Sequence, residues 1–133
     1  MLVRIVKDWD FPDIFRQTPN QSKIWDGIEF TTKNSFIYDF LVVLNRSEKD
    51  IIVKCNIKGK YLFTQEPPIN LYSWQTRIFK YFDKVYTAWN SNNPNVINFQ
   101  TCLPWHINKT YDELINLQEK VKEKYELLYV EEE

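Results

Sequence analysis

Phe40-Leu41-Val42-Val43-Leu44 is apolar at five successive positions, so an extended backbone here offers both of its faces to a hydrophobic environment. Such a strand belongs in the middle of a covered sheet, because a half-solvated strand would alternate apolar with polar residues. The expected strand runs from Phe36 to Leu44, and Asn45-Arg46-Ser47-Glu48 turns the chain after it. Further on, Ile51-Ile52-Val53 reads as a short strand or the buried side of a crossover. Lys58-Gly59-Lys60 then punctuates before a second strand, Tyr61-Leu62-Phe63-Thr64. Pro67-Pro68 ends that strand, since neither proline can donate to a ladder.

Ser73 is placed to cap a helix from Trp74 to Phe82, in which Trp74, Ile78 and Phe82 fall four apart on one face. Val85 to Trp89 is strand-like, Asn90 to Asn95 is a turn-rich loop, and Val96 to Leu103 returns extended to Pro104-Trp105. Thr110-Tyr111-Asp112-Glu113 reads as a capping box opening a C-terminal helix over 110–129, with Leu114, Leu117, Val121 and Leu128 on one stripe. The charges from Glu119 to Lys124 form its solvated face. Toward the start, Leu2 to Lys7 alternates apolar and charged residues as a first strand would, and Trp9-Asp10-Phe11-Pro12 breaks it. Asp13 to Arg16 reads as a helical turn, Thr18 to Ser22 as a polar loop, and Trp25 to Thr32 as an extended piece around Gly27. Alternating strands and helices predict an α/β fold, a mostly parallel, Rossmann-like sheet flanked by helices, in a single domain spanning 1–133.

Lys plus Arg number 17 against 18 Asp plus Glu, which leaves no net field to steer the chain toward nucleic acid or an anionic membrane. Cys55 and Cys102 lack metal-ligand spacing and the density of a disulfide framework, so both read as reduced thiols, with no metal site, in a cytoplasmic protein. Met1 to Val6 does not read as a signal peptide, and no stretch approaches a transmembrane segment. Three N-x-S/T triplets, at Asn20, Asn45 and Asn108, are what an Asn-rich chain produces by chance. Aromatic residues make up 17% of the chain, with five tryptophans, more than core filling draws. Some are expected to line a cleft for sugar rings or a partner's surface.

The carboxylate best placed for chemistry is Glu66, where a central strand runs out. In an open parallel sheet, ligands bind beyond the carboxyl ends of the strands. Pro67 holds Glu66 in an extended conformation, and a carboxylate so fixed can take a proton from a hydroxyl. The structural alternative is a glutamate that accepts backbone hydrogen bonds at a turn. Gln65, Tyr72 and Trp74 are candidate substrate contacts by proximity, and Trp105 and His106, after the strand ending at Leu103, are candidates for the same crevice. His106, the single histidine, has no nucleophile elbow to serve. Trp105 also reads as a packing residue, and Asp39 as a structural hydrogen-bond partner rather than a catalytic acid.

The series Tyr38-Asp39-Phe40-Leu41-Val42-Val43-Leu44-Asn45, Thr64-Gln65-Glu66-Pro67-Pro68, Phe82-Asp83-Lys84-Val85-Tyr86-Thr87 and Leu103-Pro104-Trp105 resembles, in order and rough spacing over residues 24 to 115, the N-terminal region of glycosyltransferase family 10, the alpha-1,3-fucosyltransferase-like enzymes. The resemblance implies one half of a two-domain inverting glycosyltransferase, the half that faces the acceptor oligosaccharide, with Glu66 at the position of the family's candidate general base. It implies GDP-fucose as donor for the complete enzyme, held by a C-terminal domain. No cofactor is expected in this chain, whose glycines, Gly27 and Gly59, form no phosphate loop. The expected partner is a donor-binding domain or chain, and an uncovered interdomain face would favour self-association. A non-catalytic carbohydrate-binding or protein-interaction module on the same fold is the alternative.

Overall fold

The computed structural model describes residues 1–34, 37–47, 49, 51, 53–56, 58–101 and 108–117. Within them, seven strands form one sheet: β1 (Leu2–Lys7), β2 (Ile24–Trp25), β3 (Ile28–Thr31), β4 (Phe40–Leu44), β5 (Lys60–Phe63), β6 (Lys84–Thr87) and β7 (Val96–Asn98). Their order is β2-β3-β1-β4-β5-β6-β7. Every neighbouring pair is parallel except β2 with β3. An α/β fold around a mostly parallel sheet is therefore present.

The extended piece expected around Gly27 is a hairpin. Asp26 and Gly27 both adopt positive φ, 49° and 76°, the conformation that a tight two-residue turn between antiparallel strands requires. The strand expected from Phe36 begins only at Phe40, and Phe36 lies outside the described residues. Ile51 and Val53 are not in a strand, but Ile51 packs against the core. The strands expected up to Trp89 and Leu103 are shorter, ending at Thr87 and Asn98.

Helix is scarce among the described residues. The helix expected over Trp74 to Phe82 is α1 (Gln75–Ile78), with 3-10 turns at Asn70–Tyr72 before it and Phe79–Tyr81 after it. Ser73 closes the first turn instead of capping α1, its N–H donating to the Asn70 carbonyl. Without a side-chain cap, and with Thr76, Phe79, Tyr81 and Phe82 all poor helix formers, the segment stays fragmented. Trp74, Ile78 and Phe82 nevertheless line one cleft, as their spacing predicts. The capping box is formed: Thr110 Oγ1 accepts from the Glu113 N–H while Glu113 Oε2 accepts from the Thr110 N–H, opening α2 (Tyr111–Ile115). Residues 118–129 of that expected helix lie outside the described residues.

The two faces of the sheet differ. Leu41, Val43, Leu62 and Val85 line up across β4, β5 and β6 and are buried with Tyr38 and Phe79. Burying each Leu or Val contributes roughly 2 kcal/mol. The opposite face carries an aromatic row: Phe40 stacks on Tyr61 with centroids 6.0 Å apart, Phe63 on Tyr86 at 4.5 Å, and Phe99 meets Tyr86 edge-on at 6.3 Å. Cys55 packs against the buried cluster. Burial pushes its thiol above the ordinary range, partly offset by Lys60, so it is no activated nucleophile.

Two aspartates pin the amino edge. Asp39, just before β4, donates its N–H to the Leu2 carbonyl at 2.9 Å and accepts the Leu2 N–H on Oδ2 at 2.7 Å. Asp83, just before β6, does the same to Lys60, at 2.8 and 2.9 Å. The structural role expected for Asp39 is thus what it performs. The strand expected over Leu2 to Lys7 is β1, and it lies between β3 and β4, so that Arg4 shares the face of Leu41 and is buried.

Candidate functional site at the carboxyl edge of the sheet

Parallel strands end together, and the residues just past those ends converge on one edge. Asp8 and Trp9 come after β1, Asn45 and Arg46 after β4, Thr64, Gln65 and Glu66 after β5, and Trp89 lies two residues beyond β6. Asn45 turns the chain away at a positive φ of 66°, which asparagine tolerates better than most residues.

A directional chain of side-chain hydrogen bonds crosses this edge. Trp89 Nε1 donates to Gln75 Oε1 at 2.9 Å, Gln75 Nε2 to Asn45 Oδ1 at 3.0 Å, and Asn45 Nδ2 to Asp8 Oδ2 at 2.7 Å. Arg46 Nε closes it, donating to the same Asp8 oxygen at 3.0 Å. An indole can only donate and a carboxylate only accept, so the ends of the chain fix the orientation of both amides between them. Gln75 and Asn45 are buried, and with every link satisfied the network stabilises one arrangement of β1, β4, α1 and the chain after β6. Beside it, Thr64 and Thr87, both fully buried, pair their hydroxyls at 2.9 Å. Asp8, already holding two donors, is a structural anion and not a free base.

Besides Trp89, two indoles lie near this network. Trp9 Nε1 donates to Gln65 Oε1 at 3.2 Å, and the Lys7 ammonium lies 4.3 Å from the Trp9 ring while bonding the Trp9 carbonyl. Trp74 has the Arg46 guanidinium 5.6 Å from its ring centroid. It lines a cleft of about 640 Å³ along the face of Leu41 and Val43, which Arg46 after β4 and Lys60 at the start of β5 also line. Such a cleft offers apolar faces with a few charged donors, as ligand clefts do.

The structure brings some of the expected site residues together. Gln65 is buried and joined to Trp9, and Trp74 lines the cleft. Glu66 stands half-buried at the edge with no hydrogen bond or ion pair to any described residue, and it lines neither that cleft nor the crevice beside β1. Tyr72 is half-buried in its 3-10 turn, its hydroxyl likewise without a partner among the described residues. Trp105 and His106 lie outside the described residues. Asp8, Asn45, Gln75 and Trp89 belong to the site without being evident from the sequence. The first two sit immediately after a strand, a position that could have flagged them, whereas Gln75 carries no such signal. Among the described residues no three His, Cys, Asp or Glu side chains come together to hold a metal ion. No helix among them is long and apolar enough to cross a membrane.

Comparison with protein-family models, with curated proteins and with solved structures yields no match to this chain.

Proposed function

We propose that this chain is the acceptor-side domain of an inverting, fucosyltransferase-like glycosyltransferase, a Rossmann-like half that binds an acceptor oligosaccharide at the carboxyl edge of its sheet. The observation that carries the reading is the setting of Glu66: a half-buried carboxylate without an ion partner among the described residues, next to a Gln65 locked by Trp9 and on the edge where the indoles gather. Glu66 takes the proton of the attacking acceptor hydroxyl as the donor's diphosphate departs, while Gln65, Tyr72 and Trp74 contact the acceptor. The carbohydrate presents apolar ring faces to Trp74 and hydroxyls to Gln65. GDP-fucose is the donor and requires a second, donor-binding domain, since oxyanion stabilisation of the leaving diphosphate needs oriented donors. We assign the work to the cytoplasm, where Cys55 stays a thiol.

Tryptophan fluorescence titrations with a panel of neutral oligosaccharides and, separately, with GDP-fucose test the reading. Sugars are expected to bind and the nucleotide sugar is not; the reverse outcome rejects the assignment. With a donor-binding domain supplied, Glu66→Gln is expected to remove turnover and to spare acceptor affinity. A second reading, a non-catalytic carbohydrate-binding or protein-interaction module, is favoured by one observation, that Glu66 does not line the cleft under Trp74. Sugar binding that needs Trp74, with no transfer in any pairing, decides for it.

A further inference from the structure

Arg4 is the one charged side chain that the core encloses among the described residues, at 5% exposure. It projects from the middle of β1, in register with Thr31 on one side and Leu41 on the other. Its Nη1 donates to Asn34 Oδ1 at 2.9 Å and lies 3.5 Å from the Tyr38 hydroxyl, and the guanidinium sits 5.5 Å from the Tyr38 ring centroid. All of these partners are neutral. Nε is buried with no acceptor, Nη2 bonds no described residue, and no described carboxylate pairs with the charge. The Nε–Nη2 edge, the fork that grips oxyanions bidentately, is therefore unoccupied. A guanidinium taken out of water without a counter-charge is costly, and an anion bound beside it removes that cost.

The fold provides a place for that anion. From β1 the chain crosses to β3 on one side, then returns past β1 to β4 and continues outward through β5, β6 and β7. The strand order reverses between β1 and β4, and crevices beyond the carboxyl ends at such a switch point are where open parallel sheets take ligands. A crevice of about 410 Å³ lies there, lined by Arg4 and Val6 of β1 and by Asp10, Thr32, Ser47 and Lys49 from the segments after β1, β3 and β4. Lys49 adds a second cation, Ser47 and Thr32 add hydroxyls, and Asp10 is the opposing charge. The Lys7 ammonium is turned to the Trp9 carbonyl.

We propose that this switch-point crevice binds a phosphate group, as inorganic phosphate or a small phosphomonoester, with the Nε–Nη2 edge of Arg4 beneath it and Lys49, Ser47 and Thr32 around it. A carboxylate satisfies the Arg4 fork but leaves the second cation and both hydroxyls idle; a tetrahedral oxyanion has acceptors for all of them. The crevice lies on the opposite side of β4 from Glu66, and the proposal does not depend on the acceptor reading.

The test is a titration followed by melting temperature and by the Arg4 Nε–H resonance, at constant ionic strength set with sodium chloride. Inorganic phosphate and a sugar phosphomonoester are the two ligand arms, and acetate is the control. Phosphate is expected to raise the melting temperature and to shift the Arg4 resonance, with the tighter arm identifying the natural form. Lys49→Ala, at an exposed position, is expected to keep the fold and weaken phosphate roughly tenfold. Arg4→Gln, if it folds, is expected to abolish the response. An equal response to acetate, or none beyond the chloride control, overturns the proposal.

Discussion

Gln75 Nε2 donates to Asn45 Oδ1 at 3.0 Å, joining a helix residue to a strand-end residue thirty positions earlier in a place that solvent does not reach. Gln75 also accepts the Trp89 indole, so through this one side chain α1 is tied both to the end of β4 and to the segment after β6. Replacing it by methionine keeps its length and removes both bonds. The buried Asn45 side-chain carbonyl and the half-buried Trp89 indole are then unpaired, and the loss of stability is expected to be about 2–3 kcal/mol. Urea unfolding of Gln75→Met followed by tryptophan fluorescence measures it; a loss within about 0.5 kcal/mol, the range of a neutral surface change, would contradict the network's role.

Gly59 approaches its neighbours more closely than any side chain permits. A Cβ added there would meet the Asp39 carbonyl at 2.9 Å, the Asn56 carbonyl at 3.2 Å and Phe40 Cδ1 at 3.2 Å. Two of these are backbone atoms, so relief requires the strand itself to move, and Gly59→Ala is expected to cost about 2–3 kcal/mol. Gly27 is the control. At φ +76° with open space around it, Gly27→Ala meets only backbone strain, about 1 kcal/mol. Thermal unfolding of the two variants should rank them in that order.

The paired aspartate contacts at the amino edge predict a local effect on exchange. Asp83→Ala leaves the Lys60 N–H, held at 2.9 Å by Oδ2, without its acceptor. Hydrogen exchange at Lys60 should accelerate, with a stability loss of about 1 kcal/mol. Asp39→Ala should do likewise at Leu2. Asparagine at either site retains an oxygen acceptor and is expected to restore most of the protection. Equal exchange in the alanine and wild-type proteins would show that water replaces the carboxylate without loss.

Glu113 gives the chain a pH-dependent helix start. The Thr110 backbone N–H bonds its carboxylate and holds its pKa below the ordinary value of 4.5, with the Thr110 side chain, Lys109 and Arg16 acting in the same direction. A depressed carboxylate contributes its stabilisation above the unfolded pKa, and that contribution is lost as pH falls through the lower, folded value. The Thr110 amide resonance should therefore titrate with a midpoint below 4.5. In Glu113→Gln, which keeps an acceptor but no charge, the titration should vanish; a midpoint at or above the ordinary value would remove the capping contact as its cause.

Where structure depends on neighbours in the chain, it is legible in the sequence. Leu2–Lys7 forms the strand that its pattern predicts, and Thr110 with Glu113 closes the box that its spacing predicts. Asp26-Gly27 is a hairpin dipeptide, a finer feature than the extended piece expected there, and the positive φ of both residues shows what it is for. The segment after Ser73 has the periodicity of one helix but is broken into turns, because periodicity reports which face is apolar, not whether the backbone can sustain a helix without a cap.

The candidate site is legible in the sequence only as an edge. That ligands gather where parallel strands end is a rule about sheets, and it points to Gln65 and Glu66 correctly as residues of that edge. It cannot say that Gln65 is tied to Trp9, fifty-six positions away, or that Trp89 reaches Gln75.

The amino-acid order by itself determined the strands' apolar faces, the turns and the cap, because each arises from steric and hydrogen-bonding preferences acting over a few residues. Tertiary structure alone decided the rest. Which strand lies beside β1, and in what register, sets whether Arg4 meets water or is buried and whether Asn45 finds Asp8 and Gln75. Those outcomes arise from the packing of segments far apart in sequence, where the burial of a polar atom is fixed by what covers it and not by what precedes it.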